Sequence, residues 1–276
     1  MPAEPMFATQ YVRRWAAQHP LVKGLLSAIV SPFRSSVSAN YKKLSTDRRQ
    51  LTAAQLAGAW QSQFIPAMQR VGVDRTLANY RAGVAHAGFD ALISLLHSIV
   101  DSVDAAGSSR SLLEIGCSSG YYAEALTMRN VAVTYSGCDY SRAFVEMARD
   151  YYPALDFRVE DATALSYSDS SYDIVVSGNC ILHIADYPAA IRESARVARN
   201  YVIFHCTPIL HTRATTYFTK RAYGVETVEI HFNEEELVAL LVSSGLAVVG
   251  IVSLNAAWRD ADAYVTKSYL CTKVTK

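Results

Sequence analysis

The stretch from Ser111 to Leu126, SLLEIGCSSGYYAEAL, holds residues able to do two different kinds of chemistry. Gly116-Cys117-Ser118-Ser119-Gly120 fits G-x-S-x-G, the strained strand-to-helix turn that presents a nucleophilic serine in α/β-hydrolases. A triad in chain order is available to it, from Ser118, Asp173 and His205 or His231. The same residues also fit a glycine-rich cofactor loop. There Gly116 and Gly120 let backbone amides approach a ligand at the start of a helix, and Ser118 replaces the middle glycine.

The order of elements favours the cofactor loop. A hydrolase places its nucleophile turn after several strands, whereas no convincing strand precedes Ser118. Asp139 ends the second strand about 20 residues beyond the turn, where an acidic side chain accepts both hydroxyls of a ribose. Tyr121 and Tyr122 just after the loop and Glu114 just before it suit a pyrophosphate poorly and a cationic ligand well.

The elements that position these residues follow from periodicity. From residue 8 to about 105 the chain reads as helices: Thr52 to Gln55 has capping-box spacing, Pro66 suits a first turn, and Phe89, Leu92, Leu95, Leu96 and Val100 form one stripe. Residues 35 to 50 read as a polar loop. After AAGSS (105 to 109) short β-branched runs alternate with helical periods at 119–128, 141–152, 186–198 and 233–244. Such alternation implies a parallel sheet with helices on both faces, and the last two runs imply a hairpin adding an antiparallel edge.

Composition narrows the partners. Apolar residues make up 51% and charged residues 18% of 276, an ordinary globular balance. A net charge of +1 supplies no field for nucleic acid, although residues 1–107 carry net +5 and residues 108–276 net −4. Five cysteines, odd in number and without a C-x-x-C pair, point to free thiols in a reducing cytosol rather than a zinc site. No secretory signal is visible, and a cytoplasmic location is expected. Residues 11–34 form a basic, apolar stretch expected to pack on its own protein or a twin subunit in a homodimer, or else to lie weakly on a membrane surface.

Four segments in order resemble the motifs of class I S-adenosylmethionine-dependent methyltransferases: LLEIGCSSG, SGCDYS, VEDATAL and SYDIVVSGNCILHI. The helical front, with AWQSQFIPAMQRV and LANYRAG, is similar to bacterial members of a small-molecule or glycan-modifying branch. The resemblance implies a Rossmann-like seven-stranded, mostly parallel sheet with an antiparallel last strand over residues 108–276. An N-terminal all-helical lid, substrate or dimerisation unit over 1–107 precedes it. It implies S-adenosylmethionine as cofactor, S-adenosylhomocysteine as product and no metal. Glu114, Gly116, Cys117, Ser118 and Gly120 would cradle the methionine end. Asp139 would hold the ribose, Tyr140 and Ser141 the adenine side, Asp161 and Ala162 the adenine edge, and Asn179 and Cys180 the sulfonium. The bland alternatives are helix capping for Asp139 and loop solvation for Asp161.

Methyl transfer mainly requires alignment and exclusion of water. An oxygen acceptor benefits from a base, for which His183 and His205 are candidates, each with a supporting structural role as its alternative. The long segment from Thr207 to Phe232 offers His211, Arg213, Tyr217, Tyr223 and His231 for the acceptor, and Tyr80 and Arg81 with Trp60 and Gln61 can close over it. The expected activity is O-methylation of a small molecule or glycan hydroxyl. N-methylation of a small amine, a catalytically silent S-adenosylmethionine-binding protein and a helical interaction module on an inherited fold are the alternatives.

Overall fold

The structure is a computed structural model and describes residues 41–45, 49–100, 109–210, 213–259 and 262–274. The segment 11–34 with its expected membrane or subunit contact, most of the AAGSS break, and His211 lie outside the described residues.

In chain order the front half contributes β1 (Tyr41–Lys43), α1 (Arg49–Ala57), a 3₁₀ turn (Gly58–Gln61), α2 (Ile65–Arg81) and α3 (Ala87–Val100). The alternating part follows: β2 (Arg110–Ile115), α4 (Tyr121–Met128), β3 (Val133–Asp139), α5 (Arg142–Tyr151), β4 (Asp156–Val159), β5 (Tyr172–Gly178), a 3₁₀ turn (Ile181–His183) and α6 (Tyr187–Val197). Then come β6 (Ala198–Leu210), β7 (Thr216–Ala222), β8 (Val225–Asn233), α7 (Glu234–Ser243), β9 (Leu246–Arg259) and β10 (Asp262–Lys273).

The main sheet runs β4-β3-β2-β5-β6-β10-β9. Neighbours from β4 to β6 are all parallel, and β10 is antiparallel to both β6 and β9. The last strand is therefore antiparallel as expected, but it is inserted beside β6, and β9 forms the edge. Period-two alternation gives each face its own core. Leu112, Ile174, Val176, Ile203 and Leu270 pack with α3, α4 and α5, while Leu113, Ile115, Val175, Val202 and Phe204 pack with α6 and α7. Each such fully buried side chain contributes about 1.5–3 kcal/mol of apolar transfer.

Three local expectations change. Tyr41–Lys43 is a strand, so the front half is not all-helical: β7 presents an open edge, and three residues pair with it. Helix α1 begins at Arg49, which places Thr52 inside it rather than at its cap. The segment from Thr207 to Phe232, expected to offer acceptor residues, is instead mostly the end of β6 and the hairpin β7–β8, closed at Tyr223-Gly224, both with positive φ. Helices α2 and α3 do not form a separate core, because Leu77, Tyr80, Phe89 and Leu96 belong to the same cluster as Leu112 and Ile174. No described helix is long and apolar enough to cross a membrane.

Candidate active site

The chain reverses its direction of travel across the sheet between β2 and β5, and the crevice at the carboxyl ends of such strands is where open α/β folds bind ligands. A cavity of about 400 Å³ opens there. Its floor is the turn after β2. Gly116 has φ 73°, and a Cβ on it would lie 2.4 Å from the Cys180 Sγ, so only glycine fits. Ser118 adopts φ 52°, so the positive φ that favours glycine there is accepted by a serine. Its backbone N–H donates to Asp139 Oδ2 at 2.9 Å, and its hydroxyl donates to Gln69 Oε1. Gly120, φ 72°, starts α4.

Asp139 lines the cavity and accepts from two backbone amides, Ser118 on Oδ2 and Ser141 at 2.8 Å on Oδ1. Each oxygen keeps a lone pair for a ligand hydroxyl. Burial pushes its pKa up to about 6, against the lowering by those two amides. Tyr140 lies half exposed on the rim, with its carbonyl accepting from Gln61 Nε2 at 3.3 Å. Asp161 also lines the cavity, its Oδ1 accepting from the Thr163 N–H at 2.8 Å and hydroxyl at 2.7 Å, and Ala162 lines it too. Asn179, φ 53°, and Cys180 line the end of β5.

His183 reaches the cavity from the 3₁₀ turn after β5. Its Nδ1 lies 2.6 Å from the Val228 carbonyl of the hairpin, so Nδ1 carries the proton and Nε2 is a lone-pair acceptor. Burial lowers its pKa, which keeps it neutral at pH 7. The Trp60 indole lies 4.8 Å away, centroid to centroid, and its buried Nε1–H has no partner among the described residues.

Several candidates sit elsewhere. Glu114 is buried below the cavity rather than lining it, accepting from the Tyr135 hydroxyl, with burial holding its pKa well above the carboxylate range. Cys117 turns into the core beneath Gly137, and Ser141 is buried and supports Asp139. His205 is held between Ser268 Oγ at 2.8 Å and Cys206 Sγ at 3.2 Å, and burial drives its pKa down to about 3, so it is a structural histidine. Tyr80 is in the core, bonded to Asp90 at 2.7 Å, and Arg81 pairs with Glu124 on the surface. Tyr217 is buried in the core, and His231 is buried against Glu229 at 3.0 Å. Arg213 and Tyr223 do not line the cavity; the Arg213 carbonyl accepts from Asn233 Nδ2. Glu114, His205, Tyr217 and His231 are strand residues whose side chains alternate onto a buried face of the sheet.

Gln69, Tyr121 and Glu160 line the cavity and were not singled out for it. Gln69 carries no local signal, since α2 reaches the turn only through packing. Ser118 has no base to activate it, its hydroxyl being spent on an amide oxygen, which removes the hydrolase geometry. Among the described residues no group of three or more His, Cys, Asp or Glu is placed to hold a metal, and the five cysteines are free.

Residues 113–206 match the family model described as a methyltransferase domain. This segment carries a methyltransferase domain and is similar to class I S-adenosylmethionine-dependent methyltransferases. The matched segment thus contains the glycine turn, Asp139, Asp161, Asn179 and His183, while Ala54 and Ala57 of α1, Trp60 of the first 3₁₀ turn and Gln69 of α2, which also line the cavity, lie outside the match. A probable S-adenosylmethionine-dependent methyltransferase of Mycobacterium tuberculosis is 29% identical over 160 residues, 56% of each chain. A phthiotriol/phenolphthiotriol dimycocerosates methyltransferase of the same organism is 31% identical over 112 residues, covering 39% of this chain and 40% of that one. The chain spans about half the length of the curated relatives it matches. Among solved structures, a SAM-dependent methyltransferase from Methanosarcina mazei superposes with a TM-score of 0.51 at 19% identity, over 65% of this chain and 98% of that one. The cyclase SpnF superposes at 0.50 with 18% identity, over 75% and 95%. The two likenesses establish the fold of the methyltransferase domain; differently named activities share it.

Proposed function

We propose that this chain is an S-adenosylmethionine-dependent methyltransferase that transfers a methyl group to a hydroxyl of a small molecule or glycan. The observation that carries the reading is the pair formed by Gly116 and Asp139. At one the Cys180 side chain leaves no room for a Cβ in the turn, and the other, bonded to the same turn through the Ser118 N–H, lines the cavity with a free lone pair on each carboxylate oxygen. A cavity of about 400 Å³ bordered by Asp139, Glu160, Asp161 and Asp186 suits a ligand with positive charge. When bound, S-adenosylmethionine supplies an activated methyl group on a sulfonium.

The residues then have separable tasks. Asp139 holds the ribose hydroxyls, and Tyr140 with Ala162 flanks the adenine. Asp161 accepts from the adenine amino group. Gly116 and Ser118 bring the backbone close to the methionine end. Gly178, Asn179 and Cys180 border the reacting end. Trp60 closes over the site from the 3₁₀ turn and excludes water, which alignment of the acceptor requires. His183 takes the acceptor's proton on Nε2, because Val228 fixes the other nitrogen as the donor. The front half serves as the lid, and no metal enters the scheme.

Calorimetry with S-adenosylmethionine and S-adenosylhomocysteine, followed by an acceptor screen with a labelled methyl donor, tests this. Binding of both ligands and turnover of a hydroxyl acceptor is the expected result. Labelling of amines alone would move the reading to N-methylation, and tight binding without any turnover would make the chain a silent binder.

A further inference from the structure

Resting on that cofactor assignment, we infer that Gln69 of α2 is a further cofactor-binding residue, donating from Nε2 to the carboxylate of the methionine end. Gln69 is half-buried and lines the cavity. The Ser118 hydroxyl donates to its Oε1, which fixes the amide plane, and Nε2 has no partner among the described residues. Ser118 also donates its backbone N–H to Asp139. Asp139, Ser118 and Gln69 therefore follow one another along one wall, from the sugar anchor past the glycine turn to the amide. An amino-acid tail extending from the ribose over Gly116 runs in that direction.

Charge explains why an amide stands there. The described lining of the cavity has four carboxylates and no Lys or Arg. The ligand carries a sulfonium and an ammonium beside its one carboxylate. A cation placed at the carboxylate would repel the other two groups in a poorly screened pocket, whereas neutral N–H donors satisfy it without that cost. The neighbouring Arg70 is turned away and held by Asp74 at 2.7 Å, Ser119 Oγ at 3.2 Å and the Tyr152 hydroxyl at 3.3 Å.

The test compares two ligands that differ only at this end. S-adenosylhomocysteine has the amino-acid carboxylate, and 5′-methylthioadenosine keeps the adenosine thioether without it. Both are titrated by calorimetry into wild type, Gln69→Glu and the near-isosteric Gln69→Leu. Loss of a hydrogen bond to a charged group is worth about 10- to 100-fold in affinity. Each variant is expected to weaken S-adenosylhomocysteine by at least about tenfold, Gln69→Glu more than Gln69→Leu, and to leave 5′-methylthioadenosine within about twofold. Equal weakening of both ligands, or no weakening of either, in a wild type that binds them would overturn this inference alone. A wild type that binds neither would overturn the cofactor assignment and this inference together.

Discussion

Ser118 and Asp139 are joined across the mouth of the crevice: the serine N–H, held at φ 52°, donates to Oδ2 of the aspartate at 2.9 Å, so turn and sugar anchor move as one unit. The Asp139 pKa of about 6 lies above the ordinary 3.8, so the carboxylate is ionised at pH 7 and protonates as pH falls through about 6. Since a ribose hydroxyl needs the ionised acceptor, affinity for S-adenosylhomocysteine is expected to fall about tenfold per pH unit below 6. Asp139→Asn is expected to bind about 10- to 100-fold more weakly at pH 7 and to lose the pH dependence. Titration calorimetry from pH 5 to 8 reads both; a wild-type affinity flat over this range would refute the role.

Gly116 is confined by the Cys180 side chain. In Gly116→Ala the new methyl would meet Sγ at 2.4 Å and Cβ at 2.6 Å, on a backbone with φ 73°. Strain of about 1–3 kcal/mol and loss of cofactor binding are expected. Adding Cys180→Ala leaves the Cβ in place and rescues little, whereas Cys180→Gly removes both atoms and rescues more. Urea unfolding of the two double variants distinguishes them, and equal rescue would show that the clash is not the cause.

Arg70 ties the lid helix to the glycine turn. It is 4% exposed, pairs with Asp74, bonds Ser119 and Tyr152, and lies 3.7 Å from the centroid of the Tyr151 ring. Removing one partner of a buried pair strands the other, so Arg70→Ala is expected to cost about 3–5 kcal/mol. Arg70→Lys keeps the charge but loses the planar fork, and falls between. Chemical denaturation measures both; a change in Arg70→Ala within about 0.5 kcal/mol, as at an ordinary surface site, would contradict the clamp.

His205 makes folding acid-sensitive. Its folded pKa of about 3 lies below the ordinary 6.5, so the unfolded chain takes up this proton first as pH falls. The stability it contributes is complete above about 6.5 and is lost progressively toward pH 3. Asp139 has the opposite sign, since its raised pKa favours the folded state as pH drops through 6 toward 3.8. In an Asp139→Asn background His205→Asn, which retains an amide for Ser268, is expected to flatten the acid limb of a plot of Tm against pH. An unchanged slope would show that this histidine does not titrate with unfolding.

Much of the molecule was written locally. The alternation of β-branched runs with helical periods established the parallel sheet, because strand and helix differ in the spacing of their apolar faces. The spacing from Gly116 to Asp139 placed turn and acid at one sheet end, because both lie at strand termini in a fixed βαβ unit. Tertiary structure decided what no window of sequence contains. Tyr80, Tyr217 and His231 looked like pocket residues by type, yet packing turned them into the core; Gln69 looked like any helical surface residue until α2 docked on the turn. A residue's chemistry is carried by its own side chain, but whether that side chain meets a ligand depends on contacts between segments distant along the chain.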